Sequence, residues 1–203
     1  MCGRYVLKAS ALELQKEFRL DEVPLLHARY NIAPLQAAPV ILDAAPKKLV
    51  LAQWGLLPRW AKDAKLAHQL INARAETIKE KAAFKELLAD HRCLIPCDGF
   101  YEWRREGPQR VPHFIHDAGN HLLAMAGLWS RWRSPDGLDV DTFTIITTRP
   151  TAQLASLHDR MPGDNAQLDD HPVQRLLARA GDHPVDDPLA RPSHHHWQHR
   201  RGE

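Results

Sequence analysis

The chain has 203 residues, 44% of them apolar and 26% charged, and a net charge of +2. That balance fits one globular domain with an ordinary core and excludes a collagenous, disordered or strongly basic chain, so a polyanion has to be met by a local basic surface. Three cysteines are too few for a disulfide framework. No window reaches about 18 apolar residues and the first residues lack an apolar signal core, so a reducing, cytoplasmic setting away from membranes is expected.

In chain order, Ser10-Ala11-Leu12-Glu13 has the spacing of a capping box, and Leu12, Leu14, Phe18 and Leu20 continue it as a short amphipathic helix. Apolar runs at 39–42 and 49–54, bounded by proline, glycine or charge, predict strands. Residues 76–90 carry Ile78, Ala82, Ala83, Leu87 and Leu88 at helical spacing, which predicts a second helix. Strand patterns return at 92–96, 100–103, 113–116, 122–129 and 142–147. Turn chemistry at Glu106-Gly107-Pro108, Asp117-Ala118-Gly119-Asn120 and Pro135-Asp136-Gly137 separates several of them and predicts an antiparallel meander. The expected fold is a single α+β domain on a curled, mainly antiparallel sheet or open barrel, with a few flanking helices. It occupies residues 1–162. Beyond Met161-Pro162 no further strand pattern follows, and 163–203 is expected to be a divergent segment with a short helix at 173–180 and a poorly ordered polar tail.

The chemistry starts at Cys2, which follows Met1. Removal of Met1 leaves an α-amine and a thiol on adjacent carbons, with ordinary pKa values of about 8 and about 8.5, so each has an accessible nucleophilic fraction at neutral pH. An aldehyde condenses with such an aminothiol to a five-membered thiazolidine, which an internal cysteine cannot form. The plainer alternative is a cysteine that merely begins a strand. Three polar residues stand out in apolar or turn contexts. Asn72, between a loop and the second predicted helix, reads as a site amide or as an ordinary cap. Glu102, among aromatics in a predicted strand, reads as a buried general acid or base or as an edge carboxylate paired with arginine. His158 has the chemistry of a proton shuttle near neutral pH.

Six ordered motifs carry a resemblance that no single residue does: Met1-Cys2-Gly3-Arg4-Tyr5, Arg29-Tyr30-Asn31-Ile32-Ala33-Pro34, Trp54-Gly55-Leu56-Leu57-Pro58, Asn72-Ala73-Arg74-Ala75-Glu76-Thr77, the run from Arg92 through Pro96-Cys97-Asp98-Gly99-Phe100-Tyr101-Glu102-Trp103, and His158-Asp159-Arg160-Met161-Pro162. In this order they resemble the SRAP family, the SOS response-associated peptidases, also called abasic site processing proteins. The resemblance implies a protein of the DNA damage response that binds single-stranded DNA and links itself covalently to an abasic site through Cys2, with an associated self-processing peptidase activity. By the same resemblance Asn72 orients the amine and the sugar, while Glu102 and His158 move protons.

Contact with a single strand needs cations for phosphates and flat rings for bases. Arg4, Arg74 and Arg160 lie inside the matched motifs and are the expected phosphate contacts. Trp60 and Trp103 are candidates for stacking or wedging, with hydrophobic core as the alternative for both. Asn31 and Pro34 are expected to shape a loop of the same groove, and Thr147 to touch sugar or phosphate. No cofactor and no metal are expected: Cys93 and Cys97 form one Cys-x3-Cys pair without a second, and the histidines from Ser193 to His199 read as a polar end. A monomer is expected, associated with the nucleoid when bound to DNA. Two other functions use the same residues. One is a peptidase or amidohydrolase with an N-terminal nucleophile, and the other is a degenerate module that binds single strands without reacting.

Overall fold

The computed structural model describes residues 2–43 and 48–163, and the backbone of 197–201. The strands are β1 (Arg4–Leu7), β2 (Arg29–Ile32), β3 (Ala37–Leu42), β4 (Lys48–Trp54), β5 (Asn72–Arg74), β6 (Arg92–Cys97), β7 (Gly99–Glu106), β8 (Gln109–Asp117), β9 (Leu123–Arg133), β10 (Asp139–Thr148), β11 (Met161–Pro162) and β12 (Trp197–Arg201). Helix α1 spans Ala11–Phe18, and 3-10 turns run over Ala64–Gln69 and Lys85–Leu88.

Five strands close on themselves. β3 pairs with β4, β4 with β10, β10 with β9, β9 with β6, and β6 with β3 again. The curled sheet or open barrel expected from the sequence is therefore closed over these pairings. All these pairs are antiparallel except β4 with β10. At its far end β10 also takes β5 in parallel and β11 antiparallel, so Ile145 to Thr147 lie beside Asn72 to Arg74. A second sheet runs in the order β12-β8-β7-β1-β2.

A ladder of aromatic rings joins the two sheets. Tyr5 of β1 meets Trp54 of β4 at 5.3 Å between ring centroids, and Trp54 stacks on Phe143 of β10 at 6.3 Å. All three are fully buried. Such pairs contribute about 0.5–1.5 kcal/mol beyond their buried area. Trp54 Nε1 also donates to the carbonyl of Ile71 at 2.8 Å, which fixes the approach to β5. Thus the core that seals the barrel also sets the position of Asn72.

Helix α1 forms as its sequence predicts. Ser10 Oγ accepts from Glu13 N at 3.3 Å, Glu13 Oε2 accepts from Ser10 N at 2.7 Å, and Leu14 is turned into the core. The second predicted helix does not form. Residues 76–90 make turns and the single 3-10 stretch Lys85–Leu88, with bonds such as Phe84 N to Lys81 O and Leu87 N to Phe84 O. Ile78, Phe84, Leu87 and Leu88 are buried against Ala126, Leu128 and Ile146, and this packing on the barrel overrides the helical period. The chain also extends at β12, antiparallel to β8 from Trp197↔Asp117 to Arg201↔His113, where no strand was expected. The predicted helix at 173–180 and the histidines at 194–196 lie outside the described residues.

Candidate active site

β1 pairs with β7 in the register Arg4↔Tyr101, Tyr5↔Phe100 and Val6↔Gly99. Gly99 is where β7 is crowded by its neighbour β8: a Cβ there would stand 2.4 Å from the carbonyl oxygen of Ile115 and 2.6 Å from the Phe114 ring. Only glycine fits. This register runs the segment before β1 alongside the part of β7 that carries Glu102, and it brings Cys2 near enough for the carboxylate charge to act on the thiol. From the barrel side, Asn72 Nδ2 donates to the Cys2 carbonyl at 2.9 Å. Asn72 is therefore a strand residue of β5, not the helix cap that its context suggested.

Cys2 is fully buried. Burial, and then the charge of Glu102, push its thiol up, so the sulfur is protonated at neutral pH. Glu102 is 2% exposed, and burial raises its carboxyl above the usual carboxylate range while the positive charge of His158 acts in the opposite sense. His158 Nε2 stands 3.8 Å from Glu102 Oε2. The other ring nitrogen, Nδ1, meets the Arg160 backbone N–H at 3.0 Å and Asp159 Oδ1 at 2.8 Å. Asn72 Oδ1 is buried with no hydrogen-bond partner among the described residues, an acceptor on the same side chain that holds the Cys2 carbonyl.

A cleft of about 410 Å³ opens beside these groups, lined by Arg74, Glu102, Trp103, Arg110, His158, Asp159 and Arg160. Arg74 is exposed on β5 and Trp103 is 36% exposed on β7. Arg160 is clasped by Glu76, with Nη1 to Oε1 at 2.7 Å and Nη2 to Oε2 at 2.9 Å, and it also donates to the carbonyl of Thr147. Its guanidinium holds the Glu76 carboxyl below the usual carboxylate range. Thr147 itself is buried, with Oγ1 3.4 Å from the carbonyl of Ala73, and stands behind Arg160. Arg4 is half-buried and donates to the carbonyl of Gly3 at 2.7 Å.

Of the twelve residues singled out from sequence, the fold gathers Cys2, Asn72, Glu102 and His158, and it rims them with Arg74, Trp103 and Arg160. Asn31 is exposed on β2, Pro34 is half-buried in the turn after it, and Trp60 is 58% exposed beyond Pro58; none of the three lines this cleft. Sequence reasoning missed Arg110, Glu76 and Asp159. For Arg110 a signal existed, because the turn at Glu106-Gly107-Pro108 sets Arg110 directly across from Arg105. No group of three or more His, Cys, Asp or Glu among the described residues is placed to hold a metal, and Cys93 and Cys97 are buried thiols.

A closed five-stranded barrel with a second sheet against it, and a buried cysteine and carboxyl with a half-buried imidazole at their junction, define a single-domain α+β protein with a candidate active-site cleft. Comparison with known proteins shows the family. The family model described as SOS response associated peptidase (SRAP) matches residues 1–197, and the chain belongs to that family. The abasic site processing protein YoqW of Bacillus subtilis is 42% identical over 167 residues, covering 80% of this chain and 75% of that protein. The abasic site processing protein HMCES of Xenopus tropicalis is 31% identical over 172 residues, covering 68% of this chain and 51% of that protein. Among solved structures, a protein from Bacteroides thetaiotaomicron superposes with a TM-score of 0.77 at 25% identity, over 88% of this chain and 86% of the other. One from Bordetella bronchiseptica has a TM-score of 0.76 at 23% identity over the whole of both chains and speaks for the fold alone. No helix among the described residues is long and apolar enough to cross a membrane.

Proposed function

We propose that this protein processes abasic sites in DNA damage, and that it captures them in single-stranded DNA as a thiazolidine on Cys2 once the peptide bond before Cys2 has been cleaved. The family's description as peptidases fits that preparatory cleavage, and the names of YoqW and HMCES fit the substrate. The observation that carries the reading is the convergence of three distant segments around Cys2: Asn72 on the Cys2 carbonyl, Glu102 acting on its thiol, and His158 3.8 Å from Glu102.

The order of steps follows from the protonation states. The deoxyribose hemiacetal opens to the C1′ aldehyde by moving a proton from the C1′ hydroxyl to the ring oxygen, a transfer suited to a carboxyl with a raised pKa beside an imidazole. The Cys2 amine then adds to C1′, and water leaves to give the imine. Because the thiol is held protonated, it adds last: sulfur bonds to C1′ while its proton passes to the imine nitrogen. The net change is aldehyde plus aminothiol to thiazolidine plus water. Asn72 supplies orientation, with Nδ2 on the Cys2 carbonyl and Oδ1 open to a donor from amine or sugar.

Arg74, Arg110 and Arg160 give the cleft its positive rim and Trp103 a stacking surface. The test is a denaturing gel of the processed chain with a single-stranded oligonucleotide containing one abasic site. A shifted band that Cys2→Ala abolishes supports the proposal, whereas the same band in Cys2→Ala, or turnover of an amide substrate without any adduct, refutes it.

A further inference from the structure

The β7–β8 hairpin extends past the sheet that carries it. β1 pairs with β7 only through Gly99, Phe100 and Tyr101, and β12 pairs with β8 only from His113 to Asp117. From Trp103↔Pro112 to Glu106↔Gln109 the two strands pair, among the described residues, with each other alone. Alternate residues share a face, so Tyr101/Phe114, Trp103/Pro112 and Arg105/Arg110 form successive cross-strand pairs on one side of this ribbon. Tyr101 and Phe114 pack ring on ring at 5.1 Å, which stiffens its base. Trp103 follows on the cleft, and both arginines are exposed.

Two arginines directly opposite each other repel, which costs stability in a ribbon whose strands, among the described residues, pair only with each other. Neither has an ion pair with a carboxylate among the described residues. In a chain of net charge +2, this is a local concentration of uncompensated charge next to an aromatic surface. We propose that the distal β7–β8 hairpin is a track for the DNA single strand leaving the cleft, with a base stacked on Trp103 and the following phosphates on Arg105 and Arg110. Trp103 and Arg105 stand two residues, about 7 Å, apart along β7, and Arg110 lies across from Arg105 at the same level of the ribbon. The inference rests on the proposed function for its ligand and extends the site beyond the lesion.

The test is the affinity of the wild type and of the double variant Arg105→Ala/Arg110→Ala for undamaged single-stranded oligonucleotides of increasing length, by anisotropy across a salt series. Each phosphate contact contributes about 0.7 to the slope of log affinity against log salt. The double variant is therefore expected to show a slope shallower by about 1.4, equivalent to about sevenfold less weakening between 50 and 200 mM salt, and to gain less from added nucleotides. The double lysine variant should keep the slope. Removing the repulsion should leave the melting temperature at or above that of the wild type; if the double variant does not fold, Arg105→Gln alone, with an expected change of about 0.7, decides. An unchanged slope and length dependence means that the arginines only keep an exposed ribbon soluble, and overturns the inference. The two ideas separate cleanly. Adduct formation with an unchanged slope sinks the hairpin track alone, while arginine-dependent binding without any adduct supports the track and sinks the capture of abasic sites.

Discussion

Asn72 Nδ2 lies 2.9 Å from the carbonyl oxygen of Cys2, a bond between residues 70 positions apart that ties β5 of the barrel to the start of β1. It fixes the backbone from which both the amine and the thiol project. Asn72→Ala should slow adduct formation at saturating DNA by roughly 10- to 100-fold, since misplacing a reacting group costs that order of rate. The dissociation constant for undamaged single strands should change little. Single-turnover gels alongside anisotropy check this; a variant with wild-type rate and weakened binding contradicts it.

Glu102 makes stability depend on pH with a definite sign. Burial raises its folded-state pKa, so the folded protein holds the proton more tightly than the unfolded chain, and stability falls as pH rises from the ordinary carboxylate range through the folded value. Glu102→Gln removes this loss. Its melting temperature is expected to exceed that of the wild type by about 2–4 °C at about pH 8, for a difference of about 1 kcal/mol, and to converge with it near pH 4. Adduct formation should fall in the same variant. Calorimetry across this range provides the check, and a wild type more stable than Glu102→Gln at the alkaline end contradicts the assignment.

Glu76 behaves in the opposite way. Arg160 lowers its pKa, so its contribution is present above the ordinary carboxylate value and is lost as pH falls through the lowered one. Arg160 has only 12% of its side chain exposed and Glu76 has 37%, so solvent screening moderates the pair. Glu76→Ala should cost about 1–2 kcal/mol at neutral pH, or about 2–8 °C, and nothing in strong acid. Because Arg160 N–H also reaches His158 Nδ1, the variant should lose adduct rate as well. Equal melting temperatures at neutral pH would show that the clasp contributes nothing.

Much of this was written in local sequence. The capping box at Ser10 and Glu13 specifies α1, and barrel strand β3 announces itself as an apolar run because Ala38 to Leu42 are buried throughout. What was not legible depends on partners far along the chain. β5 and β11 are three and two residues long, too short for any period to show, and they exist because β10 offers both of its edges. The clasp between Glu76 and Arg160 spans 84 positions and has no local signature. Residues 76–90 carry a genuine helical period that loses to packing against Ala126, Leu128 and Ile146. Cys2 was legible as a chemical candidate from its place beside Met1, but not its full burial, which depends on segments far along the chain.

The most direct measurement is the intact mass of the product formed by the processed chain with an abasic oligonucleotide, without reductant and after denaturation. The account predicts the sum of the two masses less one water, a product stable without borohydride in the wild type, and in Cys2→Ser only an adduct that borohydride must trap. A stable product of the same mass from Cys2→Ser, or no product from a processed wild-type chain, would contradict it.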